Sequence, residues 1–180
     1  ENEIINGLGD FKRATDEIFL SDVKVSINDE IKMGNNILKS YQSQYTVITS
    51  GNTYNSLRNI LDDLTSRIAK PRGFNYQIYY VKGKPDNVLT SGGKIFVFEK
   101  FYKRFKNSSE VAAVLAHEIA HNEIGHLTSY VKKQKAANDF GVFGEIFLDL
   151  ESLFTPPSFN QKEEVQADLF GIDLVHPTSY

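Results

Sequence analysis

Val111-Ala-Ala-Val-Leu-Ala-His117-Glu118-Ile-Ala-His121-Asn-Glu-Ile-Gly-His126 is the stretch on which the reading of this chain turns. Val111, Val114, Leu115, Ile119 and Ala120 fall at helical spacing, and Asn107-Ser108-Ser109 just ahead of them supplies a capping region. It is not a full capping box, because Ala112 stands where Glu or Gln would close one. On a helix, residues four apart share a face, so His117 and His121 can hold one metal ion between them. Glu118 lies beside that pair, within reach of a water on the metal. The H-E-x-x-H pattern on a helix suits hydrolysis by a metal-activated water. The competing reading is a chance match, with both histidines exposed or hydrogen-bonded. His126 follows His121 by five residues, roughly 140° off its face in a regular helix, which makes it a cap or a partner of a ligand and not a further ligand.

Downstream, Asn160 to Ile172 reads as a second helix in which Glu164 and Asp168 stand four apart, beside an apolar stripe of Val165, Leu169 and Ile172. One carboxylate can complete a His-His-Glu site while the other orients a ligand histidine. Glu163 is an alternative, turned about 100° around the helix from Glu164. The competing reading makes all three acids surface charges. Beyond this helix His176, next to Pro177, is a candidate catalytic residue that folds back as oxyanion or proton donor, with Tyr79, Tyr80 and Tyr130 as rivals for the role. Between the two helices, Phe140 to Phe154 is markedly apolar and reads as a core helix or as an apolar wall near a cleft.

Upstream, the period changes. Tyr76, Ile78 and Tyr80 alternate as a strand, Lys84 to Asn87 and Thr90 to Gly93 read as turns, and Lys94 to Glu99 is a second strand. Leu57, Ile60, Leu61, Leu64 and Ile68 mark a scaffold helix begun at Thr53 or Asn55 and ended by Pro71-Arg72-Gly73. An earlier helix is capped by Ser26 or Asn28 and runs toward Tyr41, while residues 1–25 show no pattern and read as an extended arm. The fold class is α+β, mostly helical, with a small antiparallel sheet preceding the H-E-x-x-H helix.

At 180 residues the chain reads as one domain over residues 1–180. A formal net charge of -3 gives no support for nucleic-acid binding. Cysteine is absent, so any zinc must be held by histidine and carboxylate. No apolar stretch reaches transmembrane length, which leaves peripheral attachment as the remaining membrane association.

The residues just described resemble the M48 metallopeptidases, gluzincins that include the CAAX-processing proteases and the bacterial HtpX-like and periplasmic quality-control enzymes. The resemblance lies in Val111 to His121, in Glu164-Val165-Gln166-Ala167-Asp168, and in the Asn87 to Val97 segment before the helix. It implies a zincin-like fold with Zn2+ on His117, His121 and Glu164, Glu118 as general base and acid, and Asp168 steadying His117. It further implies endopeptidase action on peptide or unfolded protein segments, held along an edge strand at Ile95 to Phe98, in a periplasmic or envelope-facing location. Relatives continue through further helices beyond the Glu164 helix, so the resemblance implies either a C-terminally truncated piece or a compact version. The alternative is a catalytically silent or latent zinc-binding module, in the latent case with residues 1–25 lying across the cleft.

Overall fold

The computed structural model describes residues 23–128, 130–132, 135 and 159–180, and the following elements succeed one another among them. They are α1 (Ile27–Gln44), β1 (Thr46–Ile48), α2 (Asn52–Ser66), β2 (Gln77–Lys82), β3 (Val88–Ser91), β4 (Lys94–Phe98), α3 (Glu99–Tyr102), α4 (Ser108–Ile124) and α5 (Gln161–Val175). The expected arm up to residue 22 and the apolar run Phe140 to Phe154 lie outside the described residues. The architecture is the mostly helical α+β arrangement expected, with a small sheet ahead of the H-E-x-x-H helix.

α1 starts where a reciprocal cap can form. The Asp29 N–H donates to Ser26 Oγ, and the Ser26 N–H donates to the Asp29 carboxylate. α2 has no side-chain cap at Gly51. It is held instead by Leu57, Leu61 and Leu64, all almost fully buried. Each contributes about 2 kcal/mol of burial, against about 1 kcal/mol for a cap, so packing decides this helix. It ends at Ser66, five residues before the proline taken as its stop.

The sheet has the order β1-β2-β4-β3. Its outer pairings, β1 with β2 and β3 with β4, are antiparallel, whereas the central pair β2–β4 is parallel, with Ile78 opposite Ile95 and Val81 opposite Phe98. β3 passes to the outside and returns through Gly92-Gly93, both at positive φ, so β4 is laid between β3 and β2. The turn expected over Thr90 to Gly93 is therefore only its last two residues, and Val88 to Ser91 is a strand. The strand expected at the sheet edge, Ile95 to Phe98, is interior. The outer position belongs to β3, itself buried along its length and packed against α1 and α4.

All five β4 residues are buried, as for a strand covered on both faces. Ile95 and Val97 face α2 and α4, joining Leu61, Leu64, Ile78, Leu115 and Ile119. Phe96 and Phe98 face α1, joining Met33, Ile37, Tyr41 and Leu89. The sheet is thus a middle layer, and α4 lies on it with its histidines turned toward α5.

Candidate metal centre

α4 carries the first half of the site. Asn107 caps it, its Oδ1 accepting from the Glu110 N–H at 3.0 Å. Val111, Ala112, Leu115, Ala116, Ile119 and Ala120 are buried, so the helix is fixed in rotation before any metal is considered. His117 and His121, one turn apart, face away from the sheet, and their Nε2 atoms lie 2.9 Å from each other. Gly125 ends the helix at φ 84°, in the left-handed region that a side chain strains. The His126 N–H then bonds the His121 carbonyl, and the reversal brings the His126 ring back over the helix end. The 140° offset of a straight helix is thereby cancelled. His126 Nδ1 sits 2.9 Å from His121 Nδ1, as the partner of a ligand and not as a ligand.

α5 carries the second half. Its capping box joins Asn160 and Glu163, with the Glu163 carboxylate accepting from the Asn160 N–H at 2.9 Å. This commits Glu163 to the helix start, and its neighbour Glu164 faces α4. Glu164 Oε2 is 3.3 Å from His117 Nε2, and Oε1 is 3.9 Å from His121 Nε2. Asp168, one turn on, accepts from His117 Nδ1 at 2.9 Å. The helices touch through small residues. Ala167 and Gly171 are buried, and a Cβ on Gly171 would stand 3.2 Å from the His117 backbone nitrogen. Val165, Leu169 and Ile172 point outward, Leu169 being 60% exposed.

The donor set fits a divalent cation. One ligand atom from each of His117, His121 and Glu164 lies within 4.8 Å of the others. Tetrahedral zinc at about 2.0–2.1 Å from each ligand separates the ligand atoms by about 3.3 Å, close to the 2.9 Å between the two Nε2 atoms and to the 3.3 and 3.9 Å from them to the two Glu164 oxygens. Proton bookkeeping points the same way. A carboxylate only accepts, so Asp168 requires the His117 proton on Nδ1 and leaves Nε2 bare. Gln166 presents Oε1 to His126 Nε2 at 3.3 Å. His126 therefore donates there and accepts from His121 Nδ1, so His121 Nε2 is bare as well. With the protons placed this way, two lone pairs and a carboxylate converge, an arrangement suited to a cation.

Electrostatics agree with this arrangement. Burial, and then the nearby His117 and His126, lower the His121 pKa to about 3, so it stays the neutral imidazole a ligand must be. Glu118 is half-buried on α4, and its carboxyl is pushed up to about 8, first by burial and then by the charge of Glu164. A cation between the ligands opposes that rise. Among the described residues no side chain donates a hydrogen bond to the Glu118 carboxylate.

The other sequence candidates lie elsewhere. His176 is the exposed C-cap of α5, twelve residues and about 18 Å of helix beyond Glu164. The fold does not bring it to the cluster. The Tyr79 hydroxyl bonds Gln77, and that of Tyr80 faces Glu99. Two contributors had no sequence signal. The Phe159 ring stacks on His121 at 3.9 Å between centroids, and Gln166 closes the His126 chain. Asn122, next to His121, ties α4 to the sheet, its Oδ1 accepting from the Gly93 N–H at 3.0 Å and its Nδ2 donating to Thr90.

The model of peptidase family M48 matches residues 52–180. The mitochondrial metalloendopeptidase OMA1 of Schizosaccharomyces pombe is 26% identical over 167 residues, covering 84% of this chain and 48% of that protein. OMA1 of Arabidopsis thaliana is 30% identical over 95 residues, 49% of this chain and 19% of that protein. The β-barrel assembly-enhancing protease of Yersinia pestis is 25% identical over 178 residues, 87% of this chain and 36% of that protein. The chain thus spans about half or less of the length of these relatives.

Proposed function

The chain belongs to peptidase family M48, and from that membership we propose that it is a zinc metalloendopeptidase acting on extended or unfolded protein segments. The observation that carries the proposal is the convergence of the two Nε2 atoms of His117 and His121 with the Glu164 carboxylate, beside Glu118, whose carboxylate accepts no side-chain hydrogen bond among the described residues. In this reading His117, His121 and Glu164 hold the ion. Zinc bound there supplies Lewis-acid polarisation of a scissile carbonyl and an acidified water. Glu118 takes the proton of the attacking water and returns it to the leaving amine. Asp168 holds the His117 tautomer through the 2.9 Å bond, so that Nε2 faces the ion. No role is given to His176.

An extracytoplasmic, envelope-facing location belongs to the same proposal, supported by likeness to the β-barrel assembly-enhancing protease. No helix among the described residues is long and apolar enough to cross a membrane. Recovery of the protein wholly from the cytosolic fraction would refute this location.

The test is hydrolysis of an unfolded protein of mixed sequence by the zinc-loaded chain, run beside Glu118→Gln. The expected result is cleavage by the parent, loss of at least about a hundredfold in the variant, and full zinc stoichiometry in both. Equal rates in the two would remove Glu118 from its role. Negligible cleavage by both, with zinc bound, would favour the silent or latent zinc-binding module.

A further inference from the structure

We propose that His126 is a positioning residue for the metal centre, joining His121 on α4 to Gln166 on α5 so that the second helix fixes the orientation and tautomer of a ligand on the first. The inference rests on the reading that His117, His121 and Glu164 hold a cation.

The geometry is a chain of two contacts in series. His121 Nδ1 is 2.9 Å from His126 Nδ1, and His126 Nε2 is 3.3 Å from Gln166 Oε1. Each contact needs one donor and one acceptor, so the acceptor at the far end sets every proton along the line. With the Gln166 oxygen facing His126, the order is His121 Nδ1–H to His126 Nδ1, then His126 Nε2–H to Gln166. His121 Nε2 is left as the metal-facing lone pair. Reversing the chain puts a proton on His121 Nε2, which cannot then bind an ion.

The relay mirrors the contact between His117 and Asp168. Both ligand histidines of α4 therefore end on α5, through residues 166 and 168 that flank the buried Ala167. His126 is itself buried and is set in place by the left-handed turn at Gly125. An imidazole is an unusual outer partner, since carboxylates and carbonyls serve more often. Unlike those groups it both accepts and donates, which lets it span two helices.

The test measures zinc affinity of the folded apo-protein by competition with a chromophoric chelator, together with the visible absorption of the cobalt form. His126→Phe keeps a ring of similar size and removes the acceptor. Its expected effect is zinc binding weakened by about 10–100-fold with an altered cobalt spectrum. Gln166 is exposed, so Gln166→Leu and Gln166→Glu do not threaten the fold. Gln166→Leu is expected to weaken zinc by about 3–10-fold, and Gln166→Glu, an obligatory acceptor, to stay within about twofold of the parent. Because the contacts act in series, His126→Phe combined with Gln166→Leu should bind zinc no worse than His126→Phe alone. Equal losses in Gln166→Leu and Gln166→Glu, or no loss beyond about twofold in both Gln166→Leu and His126→Phe, would overturn the relay. A parent that bound no zinc would instead overturn the reading beneath it.

Discussion

Replacing Arg72 by Met removes one half of a buried ion pair at the base of the metal helix. Glu30 on α1 is only 1% exposed, and its carboxylate accepts from Arg72 Nη2 at 2.8 Å, Arg72 Nη1 at 3.2 Å and Thr128 Oγ1 at 2.9 Å. Arg72 Nη1 also bonds the carbonyl of Asn122, the residue after His121. Arg72→Met strands the Glu30 charge with one neutral donor. Breaking a buried pair from one side costs about 3–5 kcal/mol. The Arg72 side chain is 26% exposed, so water can enter behind the shorter Met and the lower end, near 3 kcal/mol, is expected. That is a large part of a stability of about 5–15 kcal/mol. Urea unfolding at neutral pH should show the midpoint fall by about 1–2 M, taking a slope of about 2 kcal/mol per molar. Adding Glu30→Met should recover part of the loss, because the stranded charge is then gone. A cost below about 1 kcal/mol for Arg72→Met would refute the reasoning, as would a double variant no more stable than the single one.

Asp168→Ala should weaken zinc by about tenfold, the low end for an outer partner because Asp168 is largely exposed; chelator competition reads this, and unchanged affinity would refute the tautomer argument. Gly171→Val should cost about 1–3 kcal/mol in thermal unfolding and weaken zinc, since its side chain must push α5 off the His117 backbone; a parent-like melt would refute the close approach. Asp29, whose pKa is lowered to about 2 mainly by the Ser26 backbone and hydroxyl hydrogen bonds, adds stability that is present above the ordinary 3.8 and lost as pH falls through 2. The urea-stability gap between parent and Asp29→Ala should therefore be about 1 kcal/mol near neutrality and shrink as pH falls from 3.8 through 2, and a gap unchanged between neutrality and pH 2 would refute the cap.

Sheet order was the least legible part of the fold, and the reason is physical. Alternation in Tyr76 to Tyr80 and apolarity in Ile95 to Phe98 report that strands exist and how buried they are. Which strand lies beside which depends on a contact across about seventeen residues that no local pattern records. β3 was hidden by its surroundings: Pro85, Asp86, Asn87, Gly92 and Gly93 bracket only four strand residues, so turn chemistry outweighed them. β1, three residues long, is too short to display a period. The α2 stop was misplaced because Pro71 marks where a helix can no longer run, whereas Arg67 caps the helix at the end of its buried leucine face.

Within the site, the proposed ligands were legible because a helix places residues four apart on one face, a spacing shared by His117 with His121 and by Glu164 with Asp168. What joins the two helices was not. Apolar side chains usually mark the buried face of a helix, yet on α5 Val165, Leu169 and Ile172 are exposed and Ala167 and Gly171 are buried. The inversion follows from distance. Glu164 can come within 3.3 Å of His117 Nε2 only if the helices nearly touch, and a Leu between them would hold the backbones apart. Chemistry here selects the small residues, and the cost in buried apolar area falls on α5, which has only Leu174 among its fully buried large side chains. Such a helix is held weakly by packing and strongly by the groups it carries to α4. The His117–Asp168 and His126–Gln166 contacts are then among the forces that dock α5, and zinc held as proposed would add to them, so removing it should raise amide exchange in α5 before α2 or the sheet.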